Sequence, residues 1–215
     1  MRRNAVVTVA LVAALLLAGG CSSGSPGTAP TGSPSARAGA EVTGPPGGYT
    51  VTLPHGYRYV TDPAKAADLL RAGDAKKYPG LAAQVQAAFA QNTKLMAVRS
   101  AGGELSSISI TAVPAGALTP ASLGEQATQQ RIAAQLATQG MKGVRTSTVT
   151  IDGRPALRAD YRLTAGARTQ RGVLLYATAG KTLYLAALTY QNSRGGTVTV
   201  PAAEVELVRR TLRVS

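Results

Sequence analysis

The chain of 215 residues is 45% hydrophobic and carries 23 Lys and Arg against 10 Asp and Glu. That composition supports the core of one domain and excludes a fully disordered or collagen-like chain. One Cys excludes an intramolecular disulfide framework, and one His argues against a His-based metal site. The net charge of +13 favours anionic partners such as lipid head groups, acidic wall polymers or nucleic acid.

Met1-Arg2-Arg3-Asn4 is a short positive start, and Ala5 to Ala18 follow without a charge. As a helix that run reaches about 21 Å, short of the ~30 Å hydrocarbon core. It has the size of a signal-peptide apolar region, not of a permanent span. The run stops at Leu17-Ala18-Gly19-Gly20-Cys21, which resembles the end of a bacterial lipoprotein signal peptide. The usual pattern prefers Leu where this chain has Ala18. The resemblance implies that residues 1–20 are removed and that Cys21 becomes a lipidated N-terminus, with a diacylglycerol anchor and palmitate. The expected location is then the extracytoplasmic face of the cell membrane. One acyl chain binds only marginally, whereas two or three anchor durably. Without Arg2 and Arg3 the net charge becomes +11. Export makes nucleic acid an unexpected partner.

In residues 22–48, 20 of 27 are Gly, Pro, Ser or Thr, and no apolar periodicity exists. The expectation is a flexible linker spanning 21–48, with a reach of about 5–6 Å × √27, or roughly 30 Å. Gly20-Cys21-Ser22-Ser23-Gly24 matches the G-x-S-x-G pattern of serine hydrolases. That motif works only as a strand-to-helix elbow, and here it straddles a cleavage site inside a tether.

All nine aromatics follow residue 48, so the folded domain is expected over 49–215. Tyr49–Leu53 alternates as a strand that Pro54-His55-Gly56 ends. Pro63–Ala72 and Pro79–Gln91 read as helices, Lys94–Arg99 and Leu105–Val113 as strands. A long helix is expected from Thr119 to Gln139, with Ser122-x-x-Glu125 placed for a capping box. Four strands follow: Val144–Ile151, Pro155–Leu163, Gln170–Thr178 and Thr182–Tyr190, the first pair joined by Asp152-Gly153. Leu157, Ala159, Tyr161 and Leu163 face one way; Arg158, Asp160 and Arg162 face the other. Pro201–Leu212 closes the chain as a helix, with Glu204 and Glu206 early and Arg209 and Arg210 late, matching the macrodipole. Helices clustered between hairpins predict an α+β domain with a mostly antiparallel sheet of about seven strands.

This element order is similar to the PsbP-like fold, which includes the actinobacterial LpqN-type lipoproteins. The residues that carry the resemblance are Tyr49-Thr-Val-Thr-Leu53-Pro54-x-Gly56-Tyr57, Ile151-Asp152-Gly153-Arg154-Pro155-Ala156 and Thr182-x-Tyr184-x-Ala186-x-Leu188-Thr189-Tyr190, together with the last helix. Members often carry Trp where this chain has Tyr57. The resemblance implies a binding or assembly role toward envelope lipids and protein partners, and it supplies no catalytic residues.

Candidate chemistry is sparse. His55 reads as a solvated turn residue, with a general base as the alternative. Asp160, between Arg158 and Arg162, reads as an ion-paired face residue, with a catalytic acid as the alternative. No phosphate-cradling glycine pattern, metal-ligand spacing or dinucleotide fingerprint occurs, so no cofactor is expected. A basic concentration comprises Lys142, Arg145, Arg154, Arg158, Arg162, Arg168 and Arg171. Arg158 and Arg162 lie about 13 Å apart on one strand face, and Arg154 and Arg171 are positioned to join them as a patch for phosphate or carboxylate groups. The plainer reading is a solvated sheet face. Tyr57 and Tyr59 near the first turn, with Tyr184 and Tyr190 on the last strand, form a second set, placed either to line an apolar cleft or to pack the sheet. The expected function is a non-catalytic binding lipoprotein, contacting an anionic envelope lipid or polymer or a membrane protein. The alternative is a hydrolase or transferase on envelope glycolipids.

Overall fold

A computed structural model describes residues 36–45, 48–65, 69, 81–101, 103–165, 168–192 and 198–215. Within them the chain is α+β. Seven antiparallel strands form the main sheet in the order β3 (Arg58–Val60), β4 (Thr93–Ala101), β5 (Glu104–Pro114), β9 (Thr182–Asn192), β8 (Arg168–Ala179), β7 (Arg154–Ala165) and β6 (Lys142–Ile151). A three-stranded sheet of β1 (Ala38–Thr43), β2 (Tyr49–Pro54) and β10 (Arg213–Val214) packs beside it. Helices α1 (Leu81–Ala90), α2 (Pro120–Gly124), α3 (Gln126–Thr138) and α4 (Ala202–Thr211) complete the described elements. Among the described residues, no helix is long and apolar enough to cross a membrane.

Alternation along β7 divides the core. Leu157, Ala159 and Tyr161 point to the face covered by α2 and α3, together with Leu123, Ile132, Leu136, Leu174 and Tyr176. Helix α1 covers the β3–β4 end of that same face through Val85, Ala88, Met96 and Val98. The other face is the larger core. Leu95, Ile108, Ile110, Val173, Leu175 and Leu188 meet Val51 and Leu53 of the small sheet and Val205, Val208 and Leu212 around α4. Asp152 and Gly153 turn the β6–β7 hairpin with φ of 52° and 71°, the paired positive values of a type I′ turn. Gly172 on β8 sits opposite Tyr161, whose ring lies where a Cβ at Gly172 would point.

Several expectations change. The main sheet does have seven strands, but Tyr49–Leu53 is not one of them. It belongs to the small sheet, and β3 takes its place. Residues 38–43, expected within the 21–48 linker, form β1 and pair with β2, so the fold begins ahead of residue 49. Val42 is the buried residue of that strand, which is therefore held mainly by backbone pairing, invisible to composition. The helix expected at Thr119–Gln139 breaks at Glu125, whose backbone is extended with φ −77° and ψ 134°. Its capping box also starts three residues earlier. The Thr119 Oγ1 accepts from the Ser122 amide at 3.1 Å, and the Ser122 Oγ accepts from the Thr119 amide at 2.8 Å. Of the helix expected at Pro63–Ala72, a 3₁₀ turn over Pro63–Lys65 is present, with the Asp62 Oδ1 accepting from the Ala64 amide. The rest of it lies largely outside the described residues, as do the leader and Cys21.

Candidate functional site: a cationic row and a buried carboxylate

Strand register on the larger-core face aligns one row of residues near one end of the main sheet. Lys142 on β6 is opposite Arg162 on β7, and Arg162 is opposite Arg171 on β8. Arg171 is opposite Tyr190 on β9, Tyr190 opposite Ser106 on β5, and Ser106 opposite Arg99 on β4. Neighbouring strands lie about 4.8 Å apart, so Lys142, Arg162 and Arg171 span roughly 10 Å. Lys142 and Arg162 are exposed, and Arg171 is half-buried. Among the described residues, none of the three has a carboxylate within ion-pair distance. Like charges directly opposite on a sheet are destabilising, by a few tenths to about 1 kcal/mol per pair. This row contains two such pairs in succession. A bulge at Gly143, with φ 60°, keeps Lys142 and Arg145 in register with Arg162 and Asp160.

The other end of the row is neutralised from above. Glu204, in the first turn of α4, is 8% exposed. Its Oε1 pairs with the Arg99 guanidinium at 2.7 Å, and its Oε2 accepts from the hydroxyls of Tyr57 at 3.1 Å and Tyr190 at 3.3 Å. The Arg99 guanidinium also lies over the Tyr57 ring, 4.7 Å from its centroid. Burial, reinforced by the Glu204 carboxylate, pushes the Tyr57 hydroxyl far above the ordinary tyrosine range. Burial does the same to Tyr190, helped by Tyr57 and Glu204. Both therefore stay protonated and donate. With each carboxylate oxygen engaged, Glu204 ties α4 to the sheet and to the loop after β2.

The residues singled out in the sequence scatter across this geometry. Arg162 and Arg171 come together directly, as register neighbours. Arg158 shares their face but is bound to Asp160 through Nε at 2.8 Å and Nη2 at 2.6 Å, so its charge is largely spent. The Asp160 hydrogen bond holds the Arg158 guanidinium above its usual range. This is the ion-paired reading of Asp160. Arg154 starts β7, eight residues from Arg162 and about 26 Å away, so the register does not place it in the row. Tyr57 and Tyr190 meet on Glu204, but Tyr184 lies toward the other end of β9. There it packs edge-on against Tyr49 with centroids 6.4 Å apart and donates to the Ser215 carbonyl at 3.2 Å. The three tyrosines thus form no single cleft. His55 is exposed in the turn after β2, where its amide donates to the Arg37 carbonyl. Among the described residues, no three His, Cys, Asp or Glu side chains are grouped to hold a metal ion. The Arg99–Glu204 pair was missed because Glu204 reads as a dipole-matching helix residue. Its phase with Val205, Val208 and Leu212 was the available signal.

No protein-family model matches the chain, and no curated protein sequence matches it. Among solved structures, LpqN of Mycobacterium tuberculosis, described as involved in cell envelope biogenesis, overlays with a TM-score of 0.45 at 14% identity. The overlay covers 82% of this chain and 90% of that one. PA94 of Pseudomonas aeruginosa, a protein of unknown function, overlays with a TM-score of 0.32 at 19% identity, covering 42% of this chain and 61% of that one. At these overlaps neither bears on what this chain does.

Proposed function

We propose that the chain is a lipid-anchored lipoprotein of the cell envelope whose domain is a non-catalytic binding module for phosphate or carboxylate groups of an envelope component. The observation that carries the binding half is the run Lys142–Arg162–Arg171, three register-neighbouring cations with no ion-pair partner among the described residues. Arg offers a planar fork suited to phosphate or carboxylate, and two facing forks with a Lys beside them suit a doubly charged or repeated anion. A merely solvated face would interleave signs, as Arg158 and Asp160 do one step away. The anchoring half rests on Cys21 and the leader before it. The non-catalytic reading is supported by the engagement of Glu204 and Asp160 in ion pairs, which leaves neither carboxylate poised for acid–base work.

The test uses the full chain with Cys21→Ser, which removes the thiol that lipid attachment requires. Binding to phosphatidylglycerol vesicles is expected to be salt-sensitive, lost in Arg162→Glu with Arg171→Glu, and retained in Arg154→Glu. Equal binding by the double variant removes the row from the function. Mass spectrometry of the mature wild-type N-terminus tests the anchor separately: an acyl-free or uncleaved start refutes it.

A further inference from the structure

We propose that the domain is held in one orientation, with the end of its sheet that carries Lys142, Arg162 and Arg171 lying against the anionic bilayer in which the same chain is anchored. This rests on the anchoring and anion-binding readings above, and adds to them which way the module faces.

Two independent features meet at that end. The first is the cationic row itself. The second is the point where the chain enters the fold. Ala38 pairs with Pro54, and the His55 amide donates to the Arg37 carbonyl at 2.8 Å. The next residue, Gly56, packs on Arg99: a Cβ there would lie 3.4 Å from the Arg99 Cδ. Arg99 is in the same register row as Arg171, three strands away, or about 14 Å. The entry point and the unpaired cations therefore share one end of the sheet.

Length then selects the orientation. Residues 22–36 separate Cys21 from the fold, and whatever their conformation they reach at most about 50 Å. The main sheet is about 37 Å long along the 11 residues of β5. With the opposite end down, the entry point would stand that far above the surface and would use about three quarters of the available reach. With the basic end down, the entry point sits at the head groups and little of that reach is needed. Charge adds to this. A Debye length of about 8 Å at physiological salt confines attraction to cations close to the surface. The opposite end offers Arg154 and Lys181 singly, Arg209 and Arg210 sharing Glu206, and Arg213 paired with Asp152. The basic end also carries the exposed Glu104 at the start of β5. Each cation at an anionic surface favours contact by about fivefold, so the asymmetry rests on three being contiguous at one end while those at the other stand apart.

The experiment uses the lipidated full chain in vesicles. Its only native thiol is Cys21, so an introduced cysteine labels uniquely. Ala101 is exposed at the basic end of the sheet, and Ala117 is exposed beyond the opposite end of β5. Ala101→Cys and Ala117→Cys, each carrying a fluorophore, are measured in phosphatidylglycerol or phosphatidylcholine vesicles containing a head-group quencher. The expected result is strong quenching at 101 and little at 117 in the anionic vesicles. The difference is expected to shrink with Arg162→Glu and Arg171→Glu, and also in phosphatidylcholine, to the part that the short connection imposes. Equal quenching at both sites in anionic vesicles, or more at 117, overturns the proposal. Equal quenching together with capture of inorganic polyphosphate by the Cys21→Ser chain would assign the row to a soluble polymer instead. An acyl-free N-terminus, or indifference of the Cys21→Ser chain to phosphatidylglycerol, withdraws the anchoring or the anion-binding reading, and the orientation falls with it.

Discussion

Replacing Glu204 by Ala removes three interactions at once, and the structure sets the size of the loss. Arg99 loses its carboxylate but keeps a side chain that is 25% exposed, so water recovers part of its solvation. That places its share at about 1–2 kcal/mol, below the 3–5 kcal/mol of a fully buried broken pair. The Tyr190 hydroxyl loses its acceptor in a residue only 3% exposed, at a cost of about 1–2 kcal/mol. Tyr57 loses less, because Ser106 still reaches its hydroxyl. The total is about 3 kcal/mol, or a Tm lower by roughly 6–12 °C for a domain of this size. Thermal and urea unfolding of the Cys21→Ser chain, with and without Glu204→Ala, measures it. Glu204→Gln keeps the acceptor that both tyrosines share but turns an amide toward Arg99, and should fall between the two. Arg99→Met combined with Glu204→Leu should recover only the Arg99 share, about 1–2 kcal/mol, since no charge is left stranded while the tyrosine hydroxyls still lack their acceptor. A Glu204→Ala variant within 1 kcal/mol of its parent would show that water already satisfies the cluster, and the description of Glu204 as a tie between α4 and the sheet would fail.

Other consequences are more local. Gly172→Ala should destabilise by about 1–3 kcal/mol, because the new Cβ overlaps the Tyr161 ring. Tyr161→Leu should relieve that overlap in urea titrations, and no coupling between the two changes would refute the packing. Gly153→Ala places a side chain at φ 71° and should cost about 1 kcal/mol. Burial raises the hydroxyls of Tyr49, Tyr57, Tyr161, Tyr176 and Tyr190 above their usual value. The unfolded chain therefore releases these protons first, and stability must fall as pH rises beyond the ordinary tyrosine range near 10. Tyrosinate absorbance should then appear together with the loss of circular dichroism; early independent ionisation would contradict the burial. At the acid side, the Arg209 hydrogen bond holds Glu206 below its usual value, so the stability this pair adds is present at neutral pH and lost as pH falls below the carboxylate range. Glu206 is 45% exposed, so Glu206→Gln should flatten the acid limb by well under 1 kcal/mol.

What the sequence disclosed and what it concealed follow from the range of the interactions. The faces of β7, the Asp152-Gly153 turn and the docking stripe of α4 depend on neighbours a few residues apart, and alternation or helical phase reports them. Strands β1 and β10 depend on backbone pairing with β2, at separations that no periodicity spans. The helix break at Glu125 directly follows Gly124, a poor helix former whose local signal was there to read within an otherwise helical stretch. The candidate site divides in the same way. Arg158 and Arg162 could be placed on one face by counting, but which of them is free depends on Asp160 choosing Arg158. The opposition of Arg162 to Arg171 depends on the register of β7 with β8. The Glu204 cluster gathers four elements and was out of reach of counting altogether.

The unpaired row leads to a last prediction, in which stability and binding move in opposite directions. Arg171 faces Arg162, which in turn faces Lys142, and no anion is built in to separate them. If the fold retains this repulsion for a ligand, removing the middle-facing charge must relax it. Arg171→Gln keeps part of the aliphatic stem that packs on the sheet, so little packing is lost. The free chain should gain about 0.2–1 kcal/mol at low ionic strength. That gain should fade toward zero at 1 M salt, where the Debye length is about 3 Å. The same variant should lose affinity for phosphatidylglycerol vesicles by about fivefold. Measuring unfolding at both salt concentrations separates this electrostatic gain from any change in packing, which salt would leave in place. A variant less stable than its parent at low salt would mean that the guanidiniums splay apart or stack favourably, and that the row carries no stored repulsion for an anion to relieve.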